Sequence, residues 1–427
     1  MRIVIDGYNL ALPAGTGVAT YGRNLIVAAR ALGHDVSVLY GLQNPSKSSN
    51  LLNEIAIADP KEMMPPTRSK FKRWIEAFNT AQTIFGTTQA TEIHHSGQVI
   101  SDPSRSVNLN RAWGAQDIYR RSIGLHRKTG LISRVAIPFI DVAHWTYPLP
   151  IEATSATNIY TLHDLVPLRL PYTTGDEKRL YLALCQRIAA RADHIVTVSE
   201  ASRRDIVEIL GISEDRVSNT YQSVELPPNI TNISSDTLST YIEGLLGVGL
   251  REYFLFFGAI EPKKNVLRLI EAYLGSGVRT PLVIVGAPGW GSERDAKTLK
   301  ALQLLDRNNR LIWLDYLPRE MLMMLVAGAR ATLFPSLYEG FGLPVAESMA
   351  LGTPVLTSNS SSLVEVSGGA ALHVDPYDTN SISNGIVTLD NNPTLRDEFS
   401  QRGLIESDKF SRKNYQKRLS DLYKKFS

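Results

Sequence analysis

The stretch SLYEGFGLPVAESMALGTPV, from Ser336 to Val355, is bordered by the two apolar runs ATLFPS and PVLTS. Short β-branched and aromatic runs of this kind predict buried strands. Pro344 is well placed at the first position of a helix, which would end near Gly352. A strand, a helix and a second strand in succession are typical of a parallel sheet covered by helices. The stretch therefore predicts an α/β fold.

The same alternation runs through the whole chain. The first half contains IVI at residues 3–5 and then HDVSVLY, DVAHWTY, NIYTLHD and HIVTVS; the second contains YFLFFGAI, PLVIVGA, LIWLDYL, ATLFPS, PVLTS and ALHVD. Eleven such runs, separated by helical stretches, predict two doubly wound, Rossmann-like domains that face a central cleft. Ligands of such sheets bind at the carboxyl ends of the strands.

Composition marks where the two domains would join. The segment from Ser223 to Thr237 is rich in Pro, Asn and Ser, as linkers are. We divide the chain into a first domain (1–225), a linker region (226–250), a second domain (251–410) and a C-terminal helix (411–427). That helix carries Tyr415, Leu419 and Leu422 at helical spacing among basic residues. We expect it to pack by this apolar face and to return to the first domain.

Length and composition limit the classes of protein to consider. A chain of 427 residues exceeds what one core usually supports, and its 43% hydrophobic and 20% charged residues are typical of globular proteins. The single Cys185 excludes an intramolecular disulfide or a cysteine-built zinc site and fits a reducing compartment. The first residues lack the apolar region of a signal peptide, and no run suffices to span a membrane. We expect a cytoplasmic protein.

Basic residues outnumber acidic ones between Lys61 and Arg134, although the net charge of the chain is only +3. The segment RSKFKRW, for example, places Lys70, Lys72 and Arg73 around two aromatic rings. This region is either an ordinary solvated surface or a face for anionic lipid or an anionic acceptor. A nucleic-acid partner is not favoured, because no nucleic-acid-binding motif accompanies the charge.

The opening stretch also has the residues of a binding site. Gly340 and Gly342 let a ligand approach the backbone, and the start of the following helix offers free N–H groups to a phosphate. Glu339 precedes this helix and Glu347 lies within it, so each carboxylate would reach a different part of one long ligand. Taken singly, Glu347 could simply stabilise the helix dipole, and Glu339 could be an ordinary loop carboxylate.

These residues resemble the Glu-x7-Glu region of the GT4 family of retaining nucleotide-sugar glycosyltransferases, which have the GT-B fold. GAIEPKKNVLRLIEAY, IVGAPGWG and IVTVSEASRRDIVEILGISEDRV match further segments of that family. The resemblance implies that Glu339 hydrogen-bonds hydroxyls of the donor sugar and that Glu347 holds the ribose. It also implies that backbone amides around Phe341, Gly342 and Leu343 contact the sugar and diphosphate.

The resemblance assigns cations and a loop to the diphosphate. Lys264 in EPKKN matches the lysine of the family, whereas Ala259 follows Gly258 where the family commonly has Arg. Lys263 is the candidate to supply the missing charge. In the first domain, a loop containing Gly15, Thr16 and Gly17 would reach the diphosphate; from the residues alone, a plain turn is the alternative.

Two further residues, His163 and Leu317, complete the predicted site. The resemblance places His163, at the end of the strand NIYTLHD, beside the reactive carbon of the donor sugar. Backbone groups near Leu317 would contact the base, which leaves the base unidentified. Ser199 is expected to cap the next helix, with Ser202 as the alternative cap. We find no cluster with metal-ligand spacing and expect no cofactor and no divalent metal.

The resemblance therefore implies a retaining hexosyltransferase of polysaccharide biosynthesis, similar to bacterial mannosyl- and glucosyltransferases. Its donor would be a nucleotide sugar such as GDP-mannose or UDP-glucose, and its acceptor a glycan or a lipid-linked saccharide. The 1–225 domain would bind the acceptor and the 251–410 domain the donor. The chain could be peripheral on the inner face of the cytoplasmic membrane. The alternative is a catalytically silent GT-B subunit that binds a nucleotide sugar and partners an active enzyme.

Overall fold

A computed structural model describes residues 1–10, 17–42, 51, 53–54, 86–93, 111–175, 177–230, 233–289, 291, 293–305 and 310–427. Two predictions fall outside these residues. One is the loop contact of Gly15 and Thr16, and the other is the basic aromatic segment around Lys70.

The first domain is built on a mainly parallel sheet. Its strands, with those of a small accessory sheet, are β1 (Arg2–Asp6), β2 (Asp35–Leu42), β3 (Thr87–Gln89), β4 (Thr91–Ile93), β5 (Arg111–Gln116), β6 (Ser133–Ala136), β7 (Val142–Trp145), β8 (Ile151–Ala153), β9 (Thr157–Thr161), β10 (His194–Thr197) and β11 (Val217–Asn219). The main sheet has the order β11-β10-β9-β7-β1-β2-β5-β4, and among its described strands only the β4–β5 pair is antiparallel. The accessory sheet has the order β3-β6-β8.

Helices connect these strands. Within the described part of this domain they are α1 (Gly17–Ala31), α2 (Ile118–Thr129), α3 (Val166–Arg169), α4 (Lys178–Arg191) and α5 (Glu200–Leu210). The start of α5 confirms the predicted cap, because the Ser199 hydroxyl accepts the Ser202 N–H at 3.0 Å.

The second domain contains a six-stranded parallel sheet. Its strands are β12 (Phe254–Phe257), β13 (Leu282–Val285), β14 (Leu311–Leu314), β15 (Ala331–Phe334), β16 (Val355–Ser358) and β17 (Leu372–Val374), in the order β14-β13-β12-β15-β16-β17. Its helices are α6 (Ser235–Leu246), α7 (Val266–Gly275), α8 (Glu293–Leu305), α9 (Arg319–Gly328), α10 (Leu343–Ala350), α11 (Ser362–Ser367), α12 (Thr379–Asn391) and α13 (Pro393–Ser407). Strands β12, β13, β15 and β16 are buried throughout, as apolar strands covered on both faces should be.

Part of the predicted linker region is helical. Within 226–250, helix α6 buries Leu238 and Ile242 in the same apolar cluster as Tyr253 at the start of the second sheet. The spacing of these two residues places them on one helical face, which packs on the second domain. The division of the chain into domains otherwise stays a prediction.

The C-terminal helix returns to the first domain, as predicted. Helix α14 (Arg412–Tyr423) buries Tyr415, Leu419, Leu422 and Tyr423. The Tyr423 hydroxyl lies 2.8 Å from Nδ1 of His144 on β7. Where the chain crosses between domains, the Val224 N–H donates to the Phe410 carbonyl at 2.9 Å, so both crossings run side by side. None of the helices described here has the length and apolar character needed to cross a membrane.

Candidate active site

The two domains meet at a loop from the opening stretch. Gly340 packs so closely on the end of strand β9 that a Cβ atom there would lie 2.9 Å from the His163 carbonyl oxygen and 2.8 Å from Asp164 Oδ2. The Ser202 hydroxyl of helix α5 lies 3.2 Å from the Gly340 carbonyl and donates to it. Only glycine leaves room for this close contact of the two backbones. The contact brings Glu339 to the carboxyl end of the first sheet.

Glu339 forms a buried ion pair with Lys264. Nζ of Lys264 lies 2.7 Å from Oε1 of Glu339, and their side chains are only 14% and 8% exposed. The Ser336 hydroxyl donates to the same carboxylate oxygen at 2.5 Å. Burial raises the pKa of Glu339, but Lys264, Lys263 and these hydrogen bonds outweigh burial and leave it below its ordinary value. Glu339 is therefore ionised at neutral pH.

The backbone beside Glu339 is held by serines at the start of helix α11. The Glu339 N–H donates to the Ser361 hydroxyl at 3.1 Å. The Ser362 hydroxyl lies 2.8 Å from the Glu339 carbonyl and 2.9 Å from the Phe341 carbonyl. The sequence signal for these contacts is the run of serines SNSSS at residues 358–362, to which the sequence analysis gave no role.

Glu347 is paired with an arginine that the sequence analysis missed. It lies on helix α10, 5% exposed, and its Oε1 accepts from Nη2 of Arg319 at 2.8 Å. The same nitrogen donates to the Glu225 carbonyl at 2.9 Å. Burial raises the pKa of Glu347 above its ordinary value, and Arg319 only partly opposes this effect. Arg319 begins helix α9 two residues after Leu317, where the base of a nucleotide is expected.

Two helix starts approach each other at this site. Gly342, in a left-handed conformation with φ of 100°, is the N-cap of α10; the helix begins at Leu343, so Pro344 is its second residue and not, as predicted, its first. A Cβ atom on Gly17, the first residue of α1, would lie 3.7 Å from the Leu343 side chain. The N-terminal ends of the two helices therefore lie close together, and their dipoles favour an anion in this region.

Phe341 anchors the same loop to both domain crossings. Its ring packs edge-on against Phe410, with centroids 5.1 Å apart, and lies 6.4 Å from the ring of Tyr221. Its side chain is therefore used for packing, and only its backbone is left to contact a ligand.

His163 is neutral and fixed in one tautomer. Its Nε2 lies 3.0 Å from the Thr146 carbonyl, so that nitrogen carries the proton. Burial lowers the pKa of the ring below its ordinary value. Asp164 does not accept from the imidazole; it accepts the Val166 N–H at 3.0 Å at the start of α3. The neighbouring pair therefore lacks the geometry of a catalytic dyad.

A buried aspartate, also missed, supports the His163 contact. The Thr146 N–H donates to the carboxylate of Asp6 at the end of β1, while the Thr146 carbonyl accepts from His163. Burial raises the pKa of Asp6 to about 6. The aspartate in the N-terminal MRIVIDG was a visible signal, since polar residues at strand ends line such sites.

The structure separates the two predicted lysines. Lys264 lies in the short turn Pro262–Lys264 and reaches Glu339, whereas Nζ of Lys263 lies 3.8 Å from Oε2 of Glu261. The Lys263 carbonyl accepts from the Leu337 N–H at 2.8 Å and thereby holds the base of the loop. Among the described residues, no group of three His, Cys, Asp or Glu side chains converges as a metal site.

Two Rossmann-like sheets that meet at such a site define the GT-B class of fold. The solved structure of sucrose-phosphate synthase from Thermosynechococcus elongatus has this fold. The two structures superimpose with a TM-score of 0.66 over 100% of this chain and 98% of the synthase chain, at 16% sequence identity. Anabaena Alr3699/HepE, solved in complex with UDP-glucose, superimposes with a TM-score of 0.65 over 100% of both chains at 14% identity.

Sequence comparisons assign the family. The profile "Glycosyl transferases group 1" matches residues 248–404, and "Glycosyl transferase 4-like domain" matches 16–219. O-antigen chain mannosyltransferase B of Escherichia coli is 34% identical over 276 residues, which are 62% of this chain and 70% of the relative. O-antigen chain mannosyltransferase RfbU of Salmonella typhimurium is 27% identical over 63% of this chain and 71% of the relative. The chain belongs to the GT4 family of glycosyltransferases.

Proposed function

We propose that this protein is a retaining hexosyltransferase of polysaccharide assembly. It would move a mannose or glucose unit from a nucleoside diphosphate sugar to a glycan or lipid-linked saccharide. The observation that carries the proposal is the buried Lys264–Glu339 pair at the junction of the two domains. The similarity to O-antigen chain mannosyltransferases supports the substrate class and favours mannose.

The donor would occupy both carboxylates and the positive region between them. Glu339 would accept hydrogen bonds from sugar hydroxyls, and Glu347 from the ribose. The diphosphate would lie against Lys264 and the starts of α10 and α1, where N–H groups and helix dipoles favour negative charge. The UDP-glucose complex of Alr3699/HepE, which shares the fold, supports a nucleotide-sugar donor.

The chemistry follows from where charge develops. As the bond between the sugar and the diphosphate breaks, negative charge accumulates on the leaving phosphate, and a preorganised cation such as Lys264 stabilises it. The acceptor hydroxyl would attack from the face that the phosphate leaves, and the phosphate would take its proton. We propose that no divalent metal is needed, so chelation with EDTA should leave transfer unchanged. A silent subunit is not favoured, since no observation points to it.

The test is replacement of Glu339 by Gln, which keeps its size. Transfer and slow donor hydrolysis should both be lost, while the nucleoside diphosphate product should bind nearly as before, because it has no sugar. Binding is measured by calorimetry, with Glu398→Gln, a partly exposed carboxylate on α13, as control. An equal loss of product affinity would contradict the assignment of Glu339 to the sugar.

We also propose that the basic region holds the enzyme on the inner face of the cytoplasmic membrane. Basic groups interleaved with aromatic rings suit a headgroup interface, and a lipid-linked acceptor would be found there. Co-sedimentation with vesicles should require anionic lipid, weaken with salt, and fall when Lys70, Lys72 and Arg73 become Glu. Binding that is insensitive to salt, or absent, would favour a soluble acceptor.

A further inference from the structure

One carboxylate joins the two domains directly. Oε1 of Glu365, on helix α11 of the second domain, accepts the Glu200 N–H at 2.7 Å, and Oε2 accepts the Ala201 N–H at 2.9 Å. Glu200 and Ala201 are the first two residues of helix α5 in the first domain. The Ser199 hydroxyl accepts the third N–H of that helix, so Glu365 and Ser199 together accept hydrogen bonds from its first three N–H groups. A carboxylate at this end also gains from the helix dipole.

Helix α11 connects this contact to the Glu339 loop. At its start, Ser362 lies within hydrogen-bond distance of the Glu339 and Phe341 carbonyls, and Ser361 accepts the Glu339 N–H. Glu365 follows Ser362 by three residues on the same short helix. A shift of α11 therefore has to move the backbone of Glu339.

Helix α5 touches the same loop from the other side. The Ser202 hydroxyl donates to the Gly340 carbonyl, and Ser202 lies one residue beyond the two amides that Glu365 binds. The Glu339 loop is thus held between α11 and α5, and Glu365 is the charged link that fastens those helices together.

We propose that Glu365 is a positioning residue for transfer, which holds the Glu339 loop of the second domain against His163 of the first. This inference rests on the proposed function, because it assigns Glu339 to the donor sugar. Glu365 touches neither the predicted sugar contacts nor Lys264 and Glu347, which would bind the rest of the donor. Its removal should loosen the junction of the two domains but leave nucleotide binding to the second domain intact.

The experiment compares turnover with nucleotide affinity. Glu365→Ala should lower kcat for transfer, or for donor hydrolysis, on the order of 10- to 100-fold, as expected when reacting groups lose their alignment. The dissociation constants of UDP and GDP should change less than about threefold. Glu365→Gln, which keeps the length but loses the charge and one acceptor, should have an intermediate kcat. Glu398→Ala serves as the matched control.

Amide hydrogen exchange gives a readout independent of activity. In Glu365→Ala, exchange should accelerate at the start of α5 and at the Glu339 amide, with the cores of both sheets unchanged. If the alanine variant does not fold, Glu365→Gln carries the same comparison.

The outcomes separate the two ideas. A kcat equal to that of Glu398→Ala, or a parallel loss of nucleotide affinity, would overturn the role of Glu365. If the parent protein neither transfers nor hydrolyses any donor, the proposed function fails. Hydrogen exchange would then decide whether Glu365 holds the loop, and unchanged exchange in the variant would overturn that role as well.

Discussion

At the residue scale, the charged groups of the site come in pairs. Lys264 is paired with Glu339 and Arg319 with Glu347, so both predicted donor carboxylates have a cationic partner. Both carboxylates are buried, although the Arg319 side chain is 44% exposed, so removing either cation leaves a buried carboxylate uncompensated. Loss of Lys264 should therefore affect departure of the phosphate, whereas loss of Arg319 should affect binding of the ribose by Glu347.

Lys264→Ala should lower kcat on the order of a hundredfold, which corresponds to a loss of about 3 kcal/mol of transition-state stabilisation. The reason is that Lys264 would stabilise the charge that develops on the leaving phosphate. Lys417→Ala, which removes an exposed lysine on α14, is the matched control. Steady-state kinetics of both variants decide the matter. Activity of Lys264→Ala within a few-fold of the parent would assign the charge to Lys263 or to another group.

Arg319→Ala should make nucleotide binding sensitive to pH. Burial raises the pKa of Glu347 and Arg319 opposes it, so loss of Arg319 raises that pKa further. Since a protonated carboxyl group accepts fewer hydrogen bonds from ribose, affinity should fall as the pH decreases, starting at a higher pH than in the parent. Calorimetric titration of UDP and GDP between about pH 5 and 8 measures this.

The control for this prediction is Arg402→Ala, which removes an exposed guanidinium on α13. The nucleotide affinity of Arg319→Ala should recover at the alkaline end of this pH range, where Glu347 is ionised. A loss of affinity that is the same at every pH would mean that Arg319 acts by packing and not through the charge of Glu347.

Local motifs indicated Glu339, Lys264 and Glu347 because spacing and glycines within one stretch of chain mark them. Arg319 and Glu365 have no such signal. Arg319 meets Glu347 across 28 residues of sequence, and Glu365 meets Glu200 across 165. Contacts of this kind depend on how helices from different parts of the chain pack, which local periodicity does not specify.

At the scale of elements, the eleven strands expected from apolar runs are all present, because buried parallel strands are apolar along their length. The strands that were missed are the edge strands β4 and β11 of the first sheet, the strand β5 next to β4, and the accessory strands β3, β6 and β8. Their sequences, such as RAWGAQ in β5, mix polar and apolar residues. Tertiary pairing outweighs local preference in such strands.

Helix α14 is an element whose packing can be tested alone. Leu419→Ala should lower the free energy of unfolding by about 2–5 kcal/mol, because Leu419 is fully buried and leaves a cavity. Lys417→Ala, on the exposed side of the same helix, should have little effect. Urea unfolding of both variants measures the difference. Equal stability of the two would show that the helix contributes little to the first domain.

At the scale of the whole molecule, the prediction of two Rossmann-like domains with mainly parallel sheets is confirmed. The sequence alone did not predict which residues join the two domains. Gly340 against His163, Phe341 among Tyr221 and Phe410, and Glu365 on α5 are all contacts between residues distant in sequence. The site is therefore a property of the assembled chain and not of either domain alone.

The crossing at Val224 and Phe410 has a consequence for assembly. Because two passes of the chain lie side by side there, joined by a hydrogen bond of 2.9 Å, a hinge motion of one domain about that line would leave the bond intact. Twisting one domain against the other would break the bond. Exchange of a domain between two copies would require both passes to leave together and helix α14 to be pulled from the first domain, so we expect the chain to resist domain swapping.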